Sequence, residues 1–333
     1  MVVALAMLNY LWRCRELSAN LGMVRRKSSW LLLKIRFFML FLAGSALAGS
    51  PQMVTLNDSS PYPEGPLARD GGVYYAEMGG DRVLFSNGDG TRLVWKASGC
   101  GPTSVSDYGS GFVVLCHQAG ALAIISPTGE THEIVSEDID GQRFVTPNAS
   151  TADGRGGVYF SSSGAFAPGG PSTGAVLHLD DGGRLRRVAE GIHYSNGVAL
   201  SPDGGTLYVS EHLSRNVLAY AVAPDGSLGD RQLYFSLDDL VGPDSSRRWD
   251  VGPDGLAVDD SGNLFVAEYG AGRVLIVSPE KELVATVKVD EQYVTAPALS
   301  PDGVTLFVTA PSARNPSQPG KVYAIGNPVR TRD

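Results

Sequence analysis

The phrase SNGVALSPDGGTLYVSE, beginning at Ser195, returns as GPDGLAVDDSGNLFVAE from Gly252. A chain that repeats a supersecondary phrase must stack the copies, because one unit cannot bury both of its faces alone. Four more stretches follow the same grammar: PEGPLARDGGVYYAEM (63–78), GPTSVSDYGSGFVVLCH (101–117), TPNASTADGRGGVYFSS (146–162) and APALSPDGVTLFVTA (296–310). Each is a short apolar run, a tight turn rich in Asp, Gly or Ser, and a second run ending in aromatic and β-branched residues, which is the pattern of a hairpin. Several copies are followed by a third strand, as in GGDRVLFSN, SRNVLAYAV and AGRVLIVSP. The starts fall about 38 to 58 residues apart, room for four short strands per period. The prediction is an all-β chain, a six-bladed β-propeller with four-stranded blades. A strand near residues 52–57 is expected to close the ring beside 320–325 in the last blade. The 41 glycines suit so many turns. The repeat runs evenly through residues 60–325, so residues 49–333 read as a single domain.

The first 48 residues read differently. Arg25, Arg26, Lys27, Lys34 and Arg36 precede the apolar run FFMLFLAGSALA, and Ala46-Leu47-Ala48 fits a small-x-small cleavage site. Residues 1–48 are expected to be a signal peptide with an extended basic region, and the mature protein to be secreted or periplasmic with no stable membrane anchor. Arg25-Arg26 leaves both export routes open, and Met23 is an alternative start. These 48 residues carry seven of the Lys/Arg and one of the acids, so the rest is more acidic than the chain's net −8. Such a domain repels phosphate backbones, which excludes nucleic acid as the main partner. A monomer acting on a small molecule is expected. Cys100 and Cys116 would face an oxidising compartment. A simple hairpin register sets residue 103 opposite 116, so two buried thiols are the plainer expectation and a disulfide the alternative.

In a propeller the first strand of each blade lines the central channel, and equivalent residues at the strand starts form a ring at one mouth. Here that ring reads Glu64, Thr103, Asn148, Asn196, Asp254 and Pro297. Glu64, Asn148, Asn196 and Asp254 offer carboxylate or amide oxygens, a donor set without His or Cys that suits a hard cation such as Ca²⁺. Two carboxylates confined in one channel also need a counter-charge. Asp-Gly and Asn-Gly are ordinary turn residues as well, as SPDG at 201–204 and 300–303 illustrates. It is the recurrence at one repeat position that separates the ring from a turn. The five His show no zinc spacing, GPSTG (170–174) lacks the strand-turn-helix context of a nucleophile elbow, and the sequon at Asn148 falls on a channel residue that could not carry a glycan.

SNGVALSPDGGTLYVSE, GPDGLAVDDSGNLFVAEYGAGRVLIV, GQRFVTPN (141–148) and PEGPLARDGGVYYAE resemble the SMP-30/gluconolactonase/LRE-like family over roughly residues 60–312, most of all its secreted gluconolactonases and Drp35-type lactonases. The resemblance implies a six-bladed propeller with a divalent metal, usually calcium, held in the channel by residues matching Glu64, Asn148, Asn196 and Asp254. It further implies a lactonase in which Asp254 is the catalytic base. Two positions depart from the family pattern: Ala149 stands where an Asp often follows the first Asn, and Thr146 where some sugar-lactone members carry Arg. The loops after each second strand should share the ring's face. They supply Glu77, His117, Glu211, His212, Glu268 and Tyr269, with the segments 162–174 and 310–320 and the linker residues Arg247, Arg248 and Trp249. Thr103, His117 and Glu211 are the expected substrate contacts. The function expected is a Ca²⁺-dependent hydrolase of a small lactone or ester. The alternatives are a non-catalytic ligand-binding propeller and a related phosphotriesterase or strictosidine-synthase-like enzyme.

Overall fold

The computed structural model describes residues 53–243 and 247–330. The expected signal peptide and the route of export lie outside the described residues. Within them, six four-stranded antiparallel sheets account for nearly all the regular structure. Their inner strands are β2 (Pro63–Arg69), β6 (Pro102–Tyr108), β10 (Pro147–Ala152), β14 (Ser195–Leu200), β18 (Gly252–Val258) and β22 (Ala296–Leu299). Each inner strand packs against the next, and β2 packs against β22, so the ring is closed. The protein is a six-bladed β-propeller. Closure is made as expected: β1 (Met53–Pro61) runs antiparallel to β24 (Pro319–Gly326) and becomes the outermost strand of the sixth blade.

The burial pattern follows from this stacking. The second strands β3 (Gly72–Glu77), β7 (Gly111–Cys116) and β19 (Leu264–Tyr269) are buried at every position, because both faces of each sheet meet a neighbouring blade. Fourth strands such as β5 (Gly90–Lys96) and β9 (Thr131–Val135) are mostly exposed. The core is therefore six clusters, one at each blade interface. One joins Tyr74, Phe85 and Trp95 of the first blade to Phe112, Val114 and Ile125 of the second. Another joins Phe265, Ile276 and Val287 of the fifth to Val308, Tyr323 and Ile325 of the sixth.

The SPDG segments are turns, as anticipated. Asp203 Oδ1 accepts from the Gly205 N–H at 2.9 Å, and Asp302 Oδ1 accepts from the Val304 N–H at 3.0 Å. The cysteines correct the plainer expectation, for Cys100 and Cys116 form a disulfide. The reason is a register shift between Pro102 and Ser104 that sets Pro102, not Thr103, opposite Cys116. Cys100 is thereby drawn to a Cα–Cα distance of 4.5 Å.

A buried polar triad ties the third blade to the fourth. Asp153 Oδ1 accepts from the Arg155 and Gly157 N–H groups at 2.7 and 2.8 Å, and Asp153 Oδ2 lies 2.9 Å from His178 Nε2. The His178 ring stacks on Tyr159 at 4.3 Å, and the Tyr159 hydroxyl donates to Gly226 O of the next blade at 2.9 Å. Burial alone would push the Asp153 carboxyl up, but the His178 ring and the two N–H groups outweigh it and hold it below the usual range. A carboxyl depressed in the folded state stabilises above its unfolded pKa, about 3.9, and loses that contribution as pH falls through the folded value. Asp153→Asn should accordingly cost about 2 kcal/mol at pH 7. In thermal melts its deficit against the parent should shrink below about pH 4, where the parental carboxylate also protonates. A deficit independent of pH would show that the carboxylate charge is not what the triad uses.

Candidate metal centre and active site

Every inner strand that carries a polar ring residue breaks its pairing there. Register shifts fall between Glu64 and Leu67, Pro102 and Ser104, Pro147 and Ser150, Ser195 and Val198, and Pro253 and Leu256. The sixth blade, whose ring residue is Pro297, pairs without a shift. Such bulges re-aim a side chain out of the alternating pattern of a strand. A second device recurs two residues earlier. Tyr62, Gly101, Thr146 and Tyr194 all have φ between 52° and 65°, the left-handed region that is costly for a non-glycine residue. This kink, followed by the bulge, brings the ring residue into the channel.

The ring residues Glu64, Thr103, Asn148, Asn196 and Asp254 line one cavity of about 250 Å³ together with Tyr62, Met78, His117, Phe166, Tyr194, His212, Tyr269 and Arg314. Its floor is a concentration of oxygen donors. Glu64, Asn148, Asn196 and Asp254 are 8%, 8%, 3% and 7% exposed, so their polar atoms are largely cut off from bulk water. Burial, and then the nearby Asp254 charge, push the Glu64 carboxyl well above the usual carboxylate range. Burial likewise pushes Asp254 up, opposed by the Gly255 N–H and the Asn196 side chain. Asn196 Oδ1 is buried without a hydrogen-bond partner. Two buried carboxylates and an orphaned amide oxygen are costly as they stand and fit a cation that would satisfy all of them. His, Cys, Asp and Glu alone form no group of three that could hold a metal among the described residues.

The walls are aromatic. The Tyr62 and Tyr269 hydroxyls are 2.9 Å apart, and Phe166 lies 4.7 Å from Tyr194 and 5.7 Å from His212. The His212 nitrogens face the carbonyls of Pro253 and Asp250 at 3.0 and 3.1 Å, and burial lowers its pKa to about 4. His117 Nδ1 and Thr103 Oγ1 both lie 3.2 Å from Pro147 O. Burial also lowers the His117 pKa, against the Pro147 carbonyl, which would raise it.

Of the three expected substrate contacts, Thr103 and His117 are in the cavity and Glu211 is not. Glu211 accepts from the His193 N–H and from Asn216 Nδ2, both at 3.1 Å. It belongs to a repeated staple: Glu77 binds Arg82, Glu211 binds Asn216, and Glu268 binds Arg273, each five residues on, across the turn from second to third strand. The recurrence of Glu at the second strand's end therefore marks a turn anchor, not a substrate contact. Arg247, Arg248 and Trp249 line a separate pocket with His193, Arg215 and Asp238. Tyr62, Met78 and Tyr194 carried no sequence signal of their own. Their places are set by the left-handed kinks and by a short helical turn over Met78–Gly80. Phe166 and Arg314 lie in the long loops expected at this mouth.

Known proteins resemble this chain in sequence and fold. A gluconolactonase of Zymomonas mobilis is 27% identical over 212 residues, 57% of this chain and 55% of that protein's own length. The structure of a gluconolactonase from Xanthomonas campestris superposes with a TM-score of 0.69 at 25% identity, covering 85% of this chain and 93% of the other. Regucalcin from Agrobacterium tumefaciens, a calcium-binding protein, superposes with a TM-score of 0.66 over 84% of this chain and 95% of its own, and at 16% identity that likeness concerns the fold. The sequence profile of the SMP-30/Gluconolactonase/LRE-like region matches residues 62–312, a span that opens beside Glu64 and takes in the whole ring. On fold, ring and profile together, this chain belongs to the SMP-30/gluconolactonase/LRE-like family.

Proposed function

We propose that the protein is a metal-dependent lactonase that opens a small lactone in the channel mouth. The observation that carries the reading is the pair of buried carboxyls, Glu64 and Asp254, beside the orphaned Asn196 Oδ1 in a cavity of about 250 Å³. Glu64, Asn148, Asn196 and Asp254 would hold the ion, and four hard oxygen donors favour Ca²⁺. When bound, such an ion supplies counter-charge to the carboxylates and polarises an ester carbonyl. The chain's own residues do the rest. Asp254 takes the proton from the attacking water, the one ring residue besides Glu64 with a carboxylate to accept it. The Tyr62–Tyr269 hydroxyl pair is placed to donate to an oxygen of the opened ring. Phe166, Tyr194 and Tyr269 give the ring an apolar wall and restrict water. The gluconolactonase relatives support a lactone as the substrate class. Export through residues 1–48 belongs to the same reading, favoured by the Cys100–Cys116 disulfide, a bond characteristic of oxidising compartments.

The test is a panel of γ- and δ-lactones given to chelator-stripped protein before and after Ca²⁺. Hydrolysis that returns with Ca²⁺ is expected. In calorimetry Asp254→Ala should lose tight Ca²⁺ binding, because the ligand oxygen and its charge both go. Unchanged affinity in that variant would sink the ligand assignment. Tight Ca²⁺ binding with no lactone opened would leave a non-catalytic binding propeller.

A further inference from the structure

Among the described residues lining the central cavity, Arg314 is the single fixed cation. It sits in the loop between β23 (Thr305–Pro311) and β24. That loop is braced at Asn315, whose Oδ1 accepts from the Ser317 N–H and whose carbonyl accepts from the Gln318 N–H, both at 3.0 Å. The Arg314 side chain is 46% exposed and reaches 3.0 Å from Asp250, whose side chain is 1% exposed. Asp250 is already claimed by Arg248, through Nε to Oδ1 at 2.9 Å and Nη2 to Oδ2 at 2.7 Å, a two-pronged pairing that satisfies the carboxylate by itself. One carboxylate thus stands between two guanidiniums, and the cluster keeps a surplus positive charge. Arg248 turns away to the neighbouring pocket, so the surplus is presented to the central cavity by Arg314. The same cavity is lined by the carboxyls of Glu64 and Asp254 and by the aromatic rings of Tyr62, Phe166, Tyr194 and Tyr269.

We propose that Arg314 is the anion subsite of this cavity and selects lactones whose ring bears an acidic substituent away from the reacting carbonyl. The inference deepens the lactonase reading and rests on it for the orientation of the substrate. A ring whose carbonyl faces the carboxylate floor and whose face lies along the tyrosines extends its far substituent toward the guanidinium. A carboxylate, sulfonate or phosphate there would gain a charge-assisted hydrogen bond without displacing Arg248 from Asp250. An uncharged ring would gain nothing from it.

The experiment compares δ-lactones with and without a ring carboxylate in the parent, R314Q, R314K and R248Q. It also measures calorimetric binding of tetrahydropyran-2-carboxylate against the corresponding carboxamide, neither of which can be opened. The parent should prefer the acidic lactone through a lower KM, and the carboxylate analogue over the amide. R314Q should reduce both preferences by about tenfold or more, the scale of one hydrogen bond to a charged group. R314K should recover part of them, and R248Q should lower them less than R314Q does, since it leaves the guanidinium in the cavity but gives it sole claim on Asp250. High salt should erode the preference in the parent. Equal use of charged and uncharged rings by the parent overturns the proposal, and so does an equal loss in R314Q and R248Q, which would assign the effect to Asp250 and the loop. Arg314-dependent binding of the carboxylate analogue in a protein that opens no lactone upholds the subsite and removes the lactonase reading. Lactone opening indifferent to ring charge does the reverse.

Discussion

Asp254→Asn, saturated with Ca²⁺, should keep the ion and the fold yet lose turnover by about 10²-fold or more, the scale of a lost general base. The substitution preserves an oxygen donor on the same frame, since the inner strand at Asp254 is held by backbone groups. Gly255 N–H donates to Thr295 O at 2.7 Å, and Ser210 Oγ donates to Asp254 O at 2.6 Å. What disappears is the group that can accept a proton. Asn196→Asp is the companion variant. It adds a carboxylate oxygen where a buried amide oxygen lacks a partner, so it should retain the ion with a smaller loss of rate. Metal occupancy must be measured beside the rate, because an emptied site would mimic a missing base. If fully loaded Asp254→Asn turns over at the parental rate, the base lies elsewhere, with Glu64 and His117 the next residues to substitute.

Gly197→Ala should destabilise the protein by about 3 kcal/mol, at the upper end for forcing atoms into a packed interior, and weaken Ca²⁺ binding with it. A Cβ at Gly197 would run into the backbone oxygen of Asp254 and lie 2.9 Å from both Gly255 Cα and Leu256 N. All three are main-chain atoms of the next blade's inner strand and cannot rotate away. The same relation recurs in two other blades. A Cβ at Gly65 would meet Thr103 O and Ser104 Cα, and one at Gly255 would meet Ala296 Cα and Thr295 O at 2.7 Å. The glycine after the ring residue is therefore where one inner strand touches the next. This is why the repeated phrase places a polar residue immediately before a glycine: the first faces the channel, the second lets the blades close. Gly88→Ala is the control, for Gly88 is exposed with no atom within 4 Å of the added carbon, and its change should stay within about 0.5 kcal/mol. Denaturant melts in which the two variants match would refute the close-packing account.

Much of this could be read from residue order. Six copies of a hairpin phrase imply six blades, and the strand near residues 52–57 had no partner to find except the last blade's exposed edge. The four oxygen donors were legible because a repeat turns sequence position into spatial position, so equivalent residues meet at one mouth. Where the reading went astray, the repeat was followed too far. Glu211 sits at a recurring position near the mouth, but it is consumed by Asn216 and the His193 N–H. The cysteine pairing turned on a register shift that adds one residue to one strand. Nothing in strand alternation announces such a shift.

Periodicity within the sequence, then, determined the architecture and the floor of the site, since each blade applies the same local rules of turn and alternation and the closed ring converts their recurrence into convergence. The tertiary structure alone decided what surrounds that floor. Tyr62 and Tyr194 enter the cavity through left-handed kinks. Phe166 and Arg314 enter from loops of unequal length, and Arg314 owes its surplus charge to Asp250, 64 positions earlier in the chain and already held by Arg248. Loops do not repeat, and the charge presented by a side chain depends on which distant partner has already been neutralised. That contact is made only when the ring closes.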